Sequence, residues 1–121
     1  MKKVKIAMIG AGNIAGAHLE AYRAVANAEV VAICDLRIEK AKAAAKQYGI
    51  PGVYMDMYEM IEKEALDCIF VLVAPDRLFR AASDCMKAGI SVIMEKPAGT
   101  SAHQANALAR IAKECGVTCA V

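Results

Sequence analysis

Tryptophan is absent from these 121 residues, and aromatic side chains make up only 5% of them. Charge of one sign is in no excess either: 15 Lys and Arg stand against 13 Asp and Glu, scattered along the chain, for a net +2. A basic stripe interleaved with aromatic rings is therefore missing, and nucleic acid is not expected as a partner. Long apolar runs are missing too. "MKKVKIAMIGAG" starts with basic residues, but its apolar run, Val4 to Ile9, is interrupted by Lys5 and stopped by glycine, which falls short of a signal peptide. Nothing else is long enough to cross a membrane as a helix, so no membrane association is expected. The five cysteines, Cys34, Cys68, Cys85, Cys115 and Cys119, are odd in number and form no C-x-x-C. They read as reduced core residues of a cytoplasmic protein, not as a disulfide framework, and no metal site is expected.

What the chain does have is a high apolar content, 58%, arranged in a pattern that keeps changing period. Short apolar runs at 4–10, 29–35, 52–55, 67–75, 91–94 and 117–121 read as buried strands. Between them lie segments with helical spacing. Residues 12–26 carry Ile14, Leu19, Tyr22 and Val25 on one face; 37–49 is rich in helix formers and stops at Gly49; Asp56 can cap a short helix reaching about Glu64. Helices are also expected over 76–89, after Pro75, and over 101–116, each closed by a glycine. Strands alternating with helices of this length call for a doubly wound α/β fold, with a parallel sheet in the order 3-2-1-4-5-6 and one domain over 1–121. In that topology the binding crevice opens at the carboxyl ends of strands 1 and 4. Chemistry is then expected near 10–16, 35–37, 73–79 and 95–98.

"GAGNIAG" (10–16) follows the first strand and opens a helix, giving G-x-G-x-x-A on Gly10, Gly12 and Ala15. Gly10 permits the tight turn, Gly12 lets the backbone approach a pyrophosphate, and Ala15 lets the helix pack close. Asn13 and Ile14, within the same turn, lie at the helix N-terminus, whose free N–H groups face the phosphates. Asp35 ends the second strand, where a carboxylate can accept from both ribose hydroxyls of an adenosine and repel a 2′-phosphate, which favours NAD; the competing reading is a helix N-cap. Arg37 either stacks on adenine or tolerates a phosphate, leaving NADP open, or is a solvated helix charge. After the fourth strand, Val73 and Ala74 pass close to the cofactor and Pro75 starts the next helix, although a plain helix start explains Pro75 and Asp76 equally well. Phe79 reads as core, the methionines at 55, 57 and 60 as packing residues, and Glu59, Glu62, Lys63 and Glu64 as a solvated face. His18 and His103 read as structural or solvated.

Gly10-x-Gly12-x-x-Ala15-x-x-His18, then Asp35, the proline after strand 4, and Glu95-Lys96-Pro97, in this order, resemble the N-terminal dinucleotide-binding domain of the Gfo/Idh/MocA family: glucose-fructose oxidoreductase, inositol 2-dehydrogenase and relatives. The resemblance runs along the whole chain, and its most specific part is Glu95-Lys96-Pro97. A lysine ending the fifth strand can reach into the crevice where nicotinamide lies, orient a substrate hydroxyl and stabilise the charge that develops as hydride leaves carbon. Glu95 can hold that lysine and Pro97 fixes the turn, the Lys-Pro bond being cis as the family implies. The competing reading is a surface ion pair beside a turn proline. One departure stands out: the family's Thr-Pro-Asn-x-x-His after strand 4 is here Ala74-Pro75-Asp76-Arg77-Leu78-Phe79, without the hydroxyl or the imidazole.

The resemblance implies a dehydrogenase that moves hydride between a nicotinamide dinucleotide and a secondary alcohol carbon of a sugar, polyol or similar small molecule, with Lys96 as the catalytic group. It also implies a C-terminal domain, supplying substrate pocket, Asp and His, that is absent from these residues; the chain alone is expected to bind cofactor without turnover. The edge of the sixth strand favours a homo-oligomer. The alternatives are a non-catalytic nucleotide-binding or sensing module, and a methyl donor-binding transferase domain, against which the Ala15 spacing and Glu95-Lys96-Pro97 count.

Overall fold

The computed structural model describes residues 3–12, 16–17, 19–21, 27–94 and 102–120. Among these, six strands form one sheet in the order β3-β2-β1-β4-β5-β6. The strands are β1 (Val4–Ile9), β2 (Ala28–Cys34), β3 (Gly52–Tyr54), β4 (Cys68–Val71), β5 (Ser91–Met94) and β6 (Cys119–Ala120). Every neighbouring pair is parallel. Helix α1 is described at residues 16–17 and 19–21. It is followed by α2 (Ile38–Tyr48), α3 (Met57–Lys63), α4 (Pro75–Lys87) and α5 (Ala102–Cys115).

Because side chains alternate across a strand, each central strand supplies two cores, one on each face of the sheet. Ala7 and Ile9 of β1, Ala32 and Cys34 of β2, and Ile69 and Val71 of β4 face one way and pack with Met60 of α3, Leu78 and Met86 of α4, and Leu108 of α5. Ile6, Met8, Ile33 and Phe70 face the other way and pack with Leu19, Ala41 and Ala45 of α1 and α2. Burial on both faces is why these strands read as apolar runs rather than as alternating ones.

The helix ends follow local chemistry. Asp56 caps α3 by accepting from the Tyr58 N–H at 2.9 Å. Gly49 ends α2 in the left-handed conformation, φ 69°, which glycine adopts without steric penalty. By contrast, neither Arg37 before α2 nor Ala74 before α4 provides a side-chain cap. The fourth strand is shorter than the apolar run 67–75 suggests. Leu72 N–H still donates to the Ile9 carbonyl at 2.8 Å, and beyond it β1 has already turned at Gly10, so the ladder has no further partner there.

Met60 is buried, as a packing residue should be, and Met57 packs against the same core. Met55 instead is 55% exposed. Glu64 also departs from the solvated face expected of it, since it accepts a hydrogen bond from the Tyr54 hydroxyl across the β3–α3 connection. Phe79 packs against the core, and His103 is exposed on α5. His18, Tyr22 and Val25 lie outside the described residues.

Candidate functional site

The level ends of β1, β2 and β4 bring three connections together, with Ile9 opposite both Cys34 and Val71 in the register. At this carboxyl edge a cleft of about 700 Å³ opens, walled by the turn after β1, the residues after β2 and those after β4. It is the topological switch point of the sheet, because the chain runs from β1 through β2 to β3 on one side and then crosses over to place β4 on the other side of β1.

The turn after β1 is built on two glycines that do different things. Gly10 has φ 105°, and a Cβ placed on it would lie 2.4 Å from the Leu72 carbonyl oxygen, so the residue is required by backbone conformation and by the close passage of the strand-4 connection. Gly12 has no such constraint. A Cβ there would meet nothing within 4 Å and would project into the open cleft. What its absence leaves is exposed backbone that a ligand can approach closely.

Asp35 stands opposite this turn. Its Oδ2 accepts from the Ala11 N–H at 2.9 Å and its Oδ1 from the Arg37 N–H at 2.8 Å. Its own N–H donates to the Tyr54 carbonyl at 3.1 Å. The carboxylate is therefore not the N-cap of α2, a position held by Arg37 without a side-chain bond. It bridges two connections instead, and since a carboxylate has about four lone-pair sites, two acceptor positions are left for a ligand.

Of the residues singled out in the sequence, Gly10, Gly12, Asp35, Arg37, Val73 and Ala74 all line this one cleft. Pro75 follows as the first residue of α4. Asn13, Ile14, Ala15, Glu95, Lys96 and Pro97 lie outside the described residues. The structure adds to the site Leu36 and Tyr58, which the sequence did not single out, and Met55, which reads there as a packing residue. Leu36, Met55 and Tyr58 are 67%, 55% and 50% exposed and form an apolar rim of the cleft. Lys40 and Arg77 join Arg37 around it, and none of the three cations has an ionic partner among the described residues. An exposed Met or Leu carries no signature by itself; only the fold shows that Leu36 and Met55 share an edge.

Burial in the first core and the neighbouring Asp35 and Asp56 charges push the Cys34 thiol up to about 11. Cys34 is therefore a neutral wall residue of the cleft and not a nucleophile. No cluster of three or more His, Cys, Asp or Glu able to hold a metal ion occurs among the described residues. No described helix is long and apolar enough to cross a membrane.

A parallel sheet in 3-2-1-4-5-6 order with a glycine turn and a carboxylate facing each other at its switch point defines a doubly wound nucleotide-binding protein. Comparison with known proteins makes this specific. Residues 4–121 match the model of the Gfo/Idh/MocA oxidoreductase family, NAD-binding Rossmann fold, and the chain belongs to that family. It is 31% identical over 117 residues to D-apiose dehydrogenase of Paraburkholderia graminis, matching 97% of this chain and 31% of that protein. D-glucoside 3-dehydrogenase of Escherichia coli is likewise 31% identical, over 93% of this chain and 32% of its own length. Among solved structures, the WlbA dehydrogenase from Bordetella pertussis in complex with NADH and UDP-GlcNAcA superposes with a TM-score of 0.90 at 25% identity, covering 96% of this chain and 36% of that one. The chain thus spans about a third of the length of the relatives it matches.

Proposed function

We propose that this chain is the cofactor-binding part of an NAD-dependent dehydrogenase acting on a secondary alcohol of a sugar or polyol. The observation that carries the reading is the Asp35 carboxylate, at the end of β2, in the same cleft as the open backbone of Gly12. In this reading the pyrophosphate lies over Gly10 to Gly12, and Asn13, Ile14 and Ala15, next in the sequence, are assigned to it as well. The adenosine ribose hydroxyls donate to the two free acceptor positions of Asp35. The adenine ring rests against the apolar rim of Leu36, Met55 and Tyr58, with Arg37 at its edge, while Val73, Ala74 and Pro75 flank the dinucleotide on the β4 side. Negative charge at Asp35 sets NAD above NADP, although the three cations around the cleft temper that preference.

Bound there, the nicotinamide supplies the carbon that accepts or gives hydride. Lys96 is the group assigned to the substrate: its ammonium would orient the alcohol oxygen and stabilise charge on it. The substrate pocket itself is assigned to the region of the relatives that this chain does not span. That the substrate is a sugar or polyol rests on the relatives, which are named for D-apiose and D-glucosides. Five free cysteines support a reducing, cytoplasmic setting.

The test is a titration of the 121-residue chain with NADH and, in parallel, NADPH, followed by nicotinamide fluorescence. Saturable binding with NADH the tighter ligand is expected. Absence of binding to either would remove the proposal.

A further inference from the structure

We infer that Asp35 is a positioning residue for the glycine turn as well as a reader of the ribose, so that loop geometry and cofactor selectivity hang on one carboxylate. The inference rests on the NAD-binding reading for its second half only; the first half stands on hydrogen bonds within the protein.

Two bonds tie the turn after β1 to the end of β2 across 24 residues of sequence. Gly10 N–H donates to the Cys34 carbonyl at 2.7 Å, which continues the β1–β2 ladder. Ala11 N–H is one residue too far along to find a ladder partner and donates to Asp35 Oδ2 at 2.9 Å instead. The other oxygen, Oδ1, accepts from Arg37 N–H at 2.8 Å, so the carboxylate is fixed from both sides and cannot swing away from the turn without losing a bond. The backbone beneath it is fixed as well, by the Asp35 N–H to Tyr54 carbonyl bond. Both side-chain bonds run to a charged acceptor, the stronger class of hydrogen bond.

This arrangement has a consequence for the ligand. Ala11 N–H is spent on Asp35, so within the described part of the turn the Gly12 backbone is what faces the phosphates. Removing the carboxylate leaves the Ala11 amide without its acceptor and lets the turn relax, even for a ligand that never touches residue 35. Discrimination against a 2′-phosphate then has two sources, charge repulsion and the bond to the turn that must break if Asp35 moves aside. Substitution of Asp35 alone should therefore fail to convert the site to NADPH.

The experiment is a cycle between Asp35→Ala and the cofactor, with Asp35→Asn as the isosteric variant. Wild type and variants are titrated with NADH and with the NADH analogue lacking both adenosine ribose hydroxyls, and amide hydrogen exchange is followed in the free proteins. Positioning predicts that Asp35→Ala weakens the dideoxy analogue too, by about tenfold, the lower end of what a backbone bond to a charged acceptor contributes. It also predicts faster exchange at Ala11 in the free variant, with core amides such as Met8 and Phe70 unchanged. Asp35→Asn, with one acceptor oxygen for two donors, should fall between. If the analogue binds wild type and Asp35→Ala equally, and Ala11 exchange is unchanged, the positioning role is overturned and Asp35 reads the ribose alone. If wild type fails to bind NADH, the proposed function falls, while Ala11 exchange still decides whether Asp35 braces the turn.

Discussion

Alanine substitutions at Gly10 and Gly12 should separate folding from binding, because the two glycines are constrained by different things. At Gly10 the added Cβ meets the Leu72 carbonyl oxygen at 2.4 Å, its carbon at 3.0 Å, and a backbone at φ 105°. Neither contact can be relieved by rotating a side chain, since the obstacle is the main chain of the connection after β4. A non-glycine residue in such a region costs about 1–3 kcal/mol in strain. Forcing an extra carbon into packed surroundings costs a similar amount, about 1–3 kcal/mol. The two overlap, because one backbone shift relieves both in part, so Gly10→Ala is expected to lose about 2–4 kcal/mol. With a urea slope of about 2 kcal/mol/M, the unfolding midpoint falls by about 1–2 M. At Gly12 a Cβ meets nothing within 4 Å and φ is not in the left-handed region. Gly12→Ala should leave the stability within about 0.5 kcal/mol of wild type, or raise it slightly by restricting the unfolded chain. It should nevertheless weaken NADH, because the methyl group occupies the surface the pyrophosphate needs. The assay is urea unfolding of both variants beside an NADH titration. A Gly10→Ala protein as stable as wild type would refute the reasoning, as would a Gly12→Ala protein that binds NADH unchanged.

Three further outcomes follow from individual groups. The Tyr54 hydroxyl donates to Glu64, and that bond with partial burial raises its pKa to about 12. The folded value lies above the unfolded one near 10, so its contribution to stability is complete below pH 10 and is lost as pH rises toward 12; Tyr54→Phe should flatten that part of a stability-versus-pH curve. Burial likewise pushes Cys85 up to about 12, and both Cys34 and Cys85 are buried. A thiol reagent at pH 8 should leave these two unreacted until the chain unfolds, as residue-resolved labelling by mass spectrometry would show. Ala74 precedes α4 with φ −58° and ψ 149° and offers no cap, so Ala74→Thr should stabilise by about 1 kcal/mol and raise the melting temperature by several degrees.

The period changes of the apolar pattern show the alternation of strands and helices, because strands buried on both faces leave continuous apolar runs and helices do not, and the doubly wound topology that this alternation calls for supplies the sheet order the structure has. Helix ends were legible where one residue type carries the signal, as at Gly49 and Asp56. The end of β4 was not, because "VLVAP" stays apolar past Val71 while the ladder stops where β1 turns, a fact of the neighbouring strand. In the site, Gly10, Gly12 and Asp35 stood out by spacing. The bridge from Asp35 to Ala11 did not, since an alanine amide leaves no trace in a sequence. Met55 reads as a packing residue for a related reason: its type suggests packing, and only the exposure of the edge it shares with Leu36 and Tyr58 places it on the rim of the cleft.

A crystal structure of the chain grown with NADH would test the central claim most directly. The account predicts the pyrophosphate against the Gly10 to Gly12 backbone, an adenosine ribose hydroxyl within hydrogen-bond distance of Asp35, and the nicotinamide on the side of Lys96. A dinucleotide bound elsewhere, or crystals whose cleft stays free of NADH at saturating concentration, would contradict it.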